Sequence, residues 1–138
     1  MLKVDFKKSL EEILKSYKDV EVIQIERLGL KRYCLNTKPF VVFSESKNGD
    51  QILHIKLPSY KCYELILRFS NLFRSSEIYV SNRWLCFTIA DLHKITTQVD
   101  IQKLLLLSYK TTFNELTIWD KQKYLSAISI KYDNLAIS

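Results

Sequence analysis

Apolar side chains recur along this chain with two different periods, and the switches between them mark out its elements. From Asp5, placed to cap a helix, Phe6, Leu10, Ile13, Leu14 and Tyr17 return at helical spacing while Lys7, Lys8, Glu11, Glu12 and Lys15 fill the other side. That pattern predicts an amphipathic helix. The stretch from Val20 to Arg27 is rich in β-branched residues, Gly29 marks a turn, and Arg32 to Asn36 reads as a second short strand.

The strongest local signal is Asn48-Gly49 between two strand-forming runs, Phe40 to Ser46 and Gln51 to Leu57. Asn-Gly favours a two-residue type I′ turn, because both of its central positions need positive φ. With those two residues as the loop, Lys47 opposes Asp50. Counting outward then pairs Ser44 with Leu53, Val42 with Ile55 and Phe40 with Leu57 on the core side. Val41, Phe43, His54 and Lys56 fall on the opposite face, a mixed surface available to solvent, to a covering element or to a partner.

Pro58 and Ser59 open a helix whose stripe is Cys62, Ile66, Phe69 and Phe73, widened by Leu65 and Leu72, with Lys61, Glu64 and Arg68 on its other side. Ile78 to Val80 and Trp84 to Ala90 predict a second hairpin around Ser81-Asn82-Arg83, with Leu85, Phe87 and Ile89 alternating against Trp84, Cys86 and Thr88. Thr97 followed by Asp100 resembles a capping box and starts a helix from about Val99 to Leu116. A last helix is expected over Ile118 to Tyr132, carrying Leu125, Ile128 and Tyr132 on one side. The predicted order is α-β-β-β-β-α-β-β-α-α, an α+β arrangement.

Composition narrows the class. With 138 residues, 47% of them apolar, and two each of glycine and proline, the chain reads as one ordered domain over 1–138 with a core of its own. No apolar run reaches the roughly 18–20 residues that span a bilayer. The first residues, Met1 to Phe6, lead straight into a charged amphipathic pattern instead of a signal peptide, so a cytoplasmic location is expected. Cys34, Cys62 and Cys86 are odd in number and sit in apolar surroundings, which suits reduced structural thiols. The net charge of +6 is scattered, its densest groups being Lys7-Lys8 and Lys31-Arg32, so it permits an anionic partner without demanding one.

Lys38 to Phe43 paired with Leu53 to Lys56, then a helix, then Asn82-Arg83-Trp84 opening a strand, then Ser108-Tyr109 late in a leucine-rich helix, make the chain resemble the MmcQ/YjbR family over about residues 5–115. Lys56, Asn82, Trp84, Ser108 and Tyr109 fill positions comparable to that family's pattern, although the family's histidine beside the tryptophan is absent here. The resemblance implies an α+β, secretion-chaperone-like (CyaY-like) fold, an antiparallel sheet with helices packed on one side; the residues over about 116–138, read as a C-terminal helical extension, have no counterpart in that family's pattern. It implies two kinds of role, DNA binding and protein binding, and a fold by itself chooses neither.

Candidate chemistry is sparse. His54 and His93 lack partners at metal-ligand spacing, Glu11-Glu12 point apart on a helix, and two glycines cannot build a phosphate-cradling loop, so neither a catalytic set, a metal nor a cofactor is expected. For DNA, the candidate surface combines Lys56, His54 and Arg83 with Trp84 and Phe43, cations for phosphates beside planar rings. Low-specificity DNA binding through such a basic sheet face is the leading expectation. A protein-binding adaptor or chaperone-like domain, or self-association, is the alternative. It is suggested by Leu104 to Leu107, which cover more of a helix than one core stripe needs unless Trp119, Leu125 and Ile128 pack over them.

Overall fold

The structure is a computed structural model that describes residues 5–122. The Asp5 carboxylate accepts the Lys8 N–H at 3.0 Å and starts α1 (Phe6–Ser16), which buries Leu10 and Leu14. Strand β1 (Glu21–Ile25) turns through a 3₁₀ segment and Gly29, at φ +61°, into β2 (Leu30–Leu35). Then come β3 (Lys38–Glu45), β4 (Gln51–Lys56), α2 (Ser59–Arg68), β5 (Arg74–Ser75), β6 (Trp84–Thr88), α3 (Leu92–Thr96) and α4 (Ile101–Asn114). The strands form one antiparallel sheet in the order β1-β2-β3-β4-β6-β5. This is the α+β class that the sequence predicts.

The first hairpin differs from expectation by one residue. Glu45 pairs with Gln51, Phe43 with Leu53 and Val41 with Ile55. Ser46 N–H donates to the Asp50 carbonyl at 2.8 Å and Gly49 N–H to the Ser46 carbonyl at 2.9 Å, so the loop has three residues, with Gly49 at φ +83°. The two-residue turn of positive φ lies instead at Asn36 (+47°) and Thr37 (+66°), between paired Leu35 and Lys38. A slip of one residue exchanges the faces of β3 against β4. Val41 and Phe43 therefore join Leu53 and Ile55 in the core, and Val42 and Ser44 lie on the other face. A bulge opposite Tyr33 and Cys34 lets neighbouring Phe40 and Val41 both reach the core.

The buried residues of α1, of α2 (Cys62, Leu65) and of α4 (Ile101, Leu104, Leu105) form one cluster with Tyr33, Phe43, Ile55, Leu85 and Phe87 of the sheet. Ser108 Oγ donates to the Phe40 carbonyl and Tyr109 Oη to the Lys18 carbonyl, each at 2.9 Å, tying α4 to β3 and to the end of α1. Helix α4 is capped by Asp100, which accepts the Lys103 N–H at 3.2 Å; Thr97 instead donates to the Lys94 carbonyl. His93 stands on the short helix α3.

The predicted strand Ile78–Val80 does not form. The β6 partner is β5, and residues 76–83 loop back over the sheet face opposite the helices. Tyr79 stacks on Trp84 at 4.2 Å between ring centroids, and Ser76 bonds to His54, contacts an extended strand would forgo. Leu104 and Leu105 are buried, but Ile118 and Trp119 are 73% and 80% exposed, so Trp119 does not cover the leucines as expected. Of the expected last helix, a first turn is present at 118–122; Leu125 and Ile128 lie outside the described residues.

Candidate functional site

Of the five residues that the sequence selects, two are brought together and three are shut in. His54 is 2% exposed, with Nε2 2.8 Å from Ser44 Oγ and Nδ1 2.8 Å from Ser76 Oγ. Burial, helped by the Arg74 charge, lowers its pKa to about 4, so the ring is neutral at pH 7 and is no phosphate ligand. Trp84 is 8% exposed beneath Tyr79, and Phe43, the other expected ring, lies in the core beneath Lys7. These three side chains drop out of the expected DNA surface, because the loop at 76–83 and the register of β3 enclose them.

Ser44, His54 and Ser76 are linked as a nucleophile, a base and an orienting group would be. Their exposures of 7%, 2% and 3% keep a substrate away from the Ser44 hydroxyl. Cys34, Cys62 and Cys86 are buried and unbridged. Burial pushes their thiol pKa values up, that of Cys62 to about 11, so the unreactive thiol form prevails. Among the described residues no cluster of His, Cys, Asp or Glu could hold a metal ion.

Lys56 and Arg83 do meet, through a partner that the sequence did not show. Lys56 Nζ contacts Glu115 Oε2 and an Arg83 guanidinium nitrogen contacts Glu115 Oε1, while Lys38 Nζ lies 3.5 Å from the Glu115 carbonyl oxygen. Burial, then Arg83 and Lys38, lower the Lys56 pKa, against the attraction of Glu115. Three cations thus gather at Glu115, at the end of α4, two on its carboxylate and one on its backbone carbonyl. Glu115 is 59 residues from Lys56, so local periodicity carries no trace of the pairing.

A second feature was missed for another reason. The outward side of α2 carries Tyr60, Tyr63 and Leu67, 68%, 66% and 73% exposed. Their spacing is that of a second apolar stripe on a helix whose core side already holds Cys62 and Leu65. The signal was present in the sequence, masked by the wider stripe beside it. Between this face and the start of β6 runs a cleft of about 310 Å³, lined by Cys62, Tyr63, Ile66, Leu67, Asn82 and Trp84 among others.

A further cleft of about 380 Å³ lies between the start of α1 and the strands. Its Lys7 and Lys31 alternate with Asp5, Glu11 and Glu26, and Lys31 Nζ sits 2.9 Å from Glu11 Oε1, so it has no marked preference for either sign of ligand.

The sequence matches no protein-family model, and no curated protein matches it. Among solved structures it is similar to the crystal structure of Deinococcus radiodurans protein DR2400, a DUF419 domain, with a TM-score of 0.67 over 87% of each chain at 13% identity. The two share a fold. DUF419 is the YjbR/MmcQ-like family, so this likeness agrees in fold with the resemblance seen in the sequence. Within this DUF419-like fold, Ser108 and Tyr109 serve packing, whereas Asn82 and Trp84 line the α2 cleft and Lys56 joins the cation group near it. No helix among the described residues is long and apolar enough to cross a membrane.

Proposed function

We propose that this chain is a small binding domain without a catalytic step of its own, and that its partner is a protein held on the outward face of α2. The observation that carries this is the exposed stripe Tyr60, Tyr63 and Leu67, beside a cleft, on a helix whose core side is already buried. Tyrosines give large amphipathic contact area, and grouped exposed apolar side chains mark contact surfaces.

Low-specificity DNA binding is the second reading, favoured by the net charge of +6 and by Lys38, Lys56 and Arg83 at one place. Against it, Lys56 and Arg83 share Glu115, and Lys61 and Arg68 share Glu64. These cations lie in two separate groups, whereas a groove that tracks phosphates needs a continuous run of them.

The test places a photo-crosslinking residue at Tyr63 of the full chain in its own cells, with Lys94 of α3 as the control position. A discrete protein adduct is expected from position 63, absent from position 94 and abolished by Leu67→Asp. Adducts to nucleic acid at position 63 would favour the second reading, and no adduct at all would end the α2 proposal.

A further inference from the structure

We infer that the segment received on the α2 face is acidic as well as apolar, its apolar side chains entering the cleft beside Tyr63 and Leu67 and its carboxylate meeting Arg83. This rests on the protein-binding reading above and adds the chemistry of the partner. The cleft, about 310 Å³, is at the small end of the roughly 300–1,000 Å³ typical of ligand sites, a size for side chains more than for a large cofactor. Its floor is apolar, with Cys62 and Trp84 2% and 8% exposed, and Tyr63 and Leu67 form the open wall.

Charge selects among apolar segments. At the Glu115 group, Lys56 and Arg83 share the one carboxylate and Lys38 donates to the Glu115 backbone carbonyl, so positive charge is left over. That excess reaches solvent through Arg83, whose side chain is 40% exposed against 15% for Lys56 and 26% for Glu115. Arg83 stands between the two cleft-lining residues Asn82 and Trp84, close enough to Cys62 to act on its thiol electrostatically. On the same helix, Lys61 and Arg68 share Glu64, a second carboxylate with more than one cation. A partner with carboxylates flanking its apolar residues meets complementary charge at both places, and a basic one is repelled. Two separate spots of charge suit a few carboxylates better than a continuous phosphate chain.

The experiment selects displayed random peptides on the purified full chain at low salt. Enriched peptides should combine Asp or Glu with aromatic or aliphatic residues. Replacing their carboxylates by amides, or Arg83→Gln in the protein, should weaken binding about tenfold, Arg83→Lys should keep most of it, and Leu67→Asp should abolish it. Thermal unfolding of each variant separates loss of binding from loss of fold. Neutral or basic peptides that still require Leu67 would overturn the acidic assignment and leave the α2 site standing. Peptides indifferent to Leu67 and Tyr63, or no enrichment, would overturn both.

Discussion

Nδ1 of His54 lies 2.8 Å from the hydroxyl of Ser76, 22 residues later in the chain, and this contact pins the loop at 76–83 to the sheet. Neither hydroxyl neighbour of the ring is a carboxylate that would hold a proton on it. With a folded pKa of about 4 against 6.5 unfolded, His54 has no effect on stability well above pH 6.5, where both states are neutral. As pH falls below 6.5 the unfolded state binds the proton first, so stability is lost down to about pH 4 and then levels off. Urea unfolding at pH 7.5 and pH 5 should differ by about 2 kcal/mol from this group, and His54→Gln should remove most of that difference.

Glu115 neutralises Lys56 and Arg83 together. Glu115→Gln should lower stability by about 1–2 kcal/mol, less than for a fully buried pair because all three side chains keep some exposure. Lys56→Met should cost less in the Glu115→Gln background than in the wild type, a coupling that a double-mutant cycle measures directly.

Gly49 and Thr37 make opposite predictions at similar backbone angles, φ +83° and +66°. Gly49→Ala should cost about 1 kcal/mol from torsion alone, since a Cβ there meets its nearest atom, Glu45 Oε1, at an ordinary 3.8 Å. Thr37→Gly should instead raise stability by about 0.5–1 kcal/mol by relieving a β-branched residue at positive φ. Denaturant midpoints of the two variants should move in opposite directions.

Leu65 and Leu67 stand two positions apart on α2, 2% and 73% exposed. Leu65→Ala should cost about 2–5 kcal/mol through the cavity it leaves. Leu67→Asp should stay within about 0.5 kcal/mol of wild type in thermal unfolding, while removing partner binding.

Much of this architecture is written locally. The 3.6-residue rhythm and Asp5 cap of α1, the turn at Gly29, the pairing of β3 with β4 and the alternation of Leu85 and Phe87 against Trp84 and Cys86 depend on residues within a few positions of each other. The sequence therefore determined the class of the fold and most of its elements. Tertiary structure decided what neighbouring residues leave degenerate. Phe40-Val41-Val42-Phe43 is apolar at every position, so its pattern suits either face; the observed register goes with a three-residue loop and with the fit of Val41 and Phe43 beneath the helices. Whether His54 and Trp84 meet solvent depended on where the loop at 76–83 came to rest, and the meeting of Lys56 and Arg83 on Glu115 depended on where α4 ends. Those are contacts between distant parts of the chain, set by packing and charge across the folded molecule, which no local period encodes.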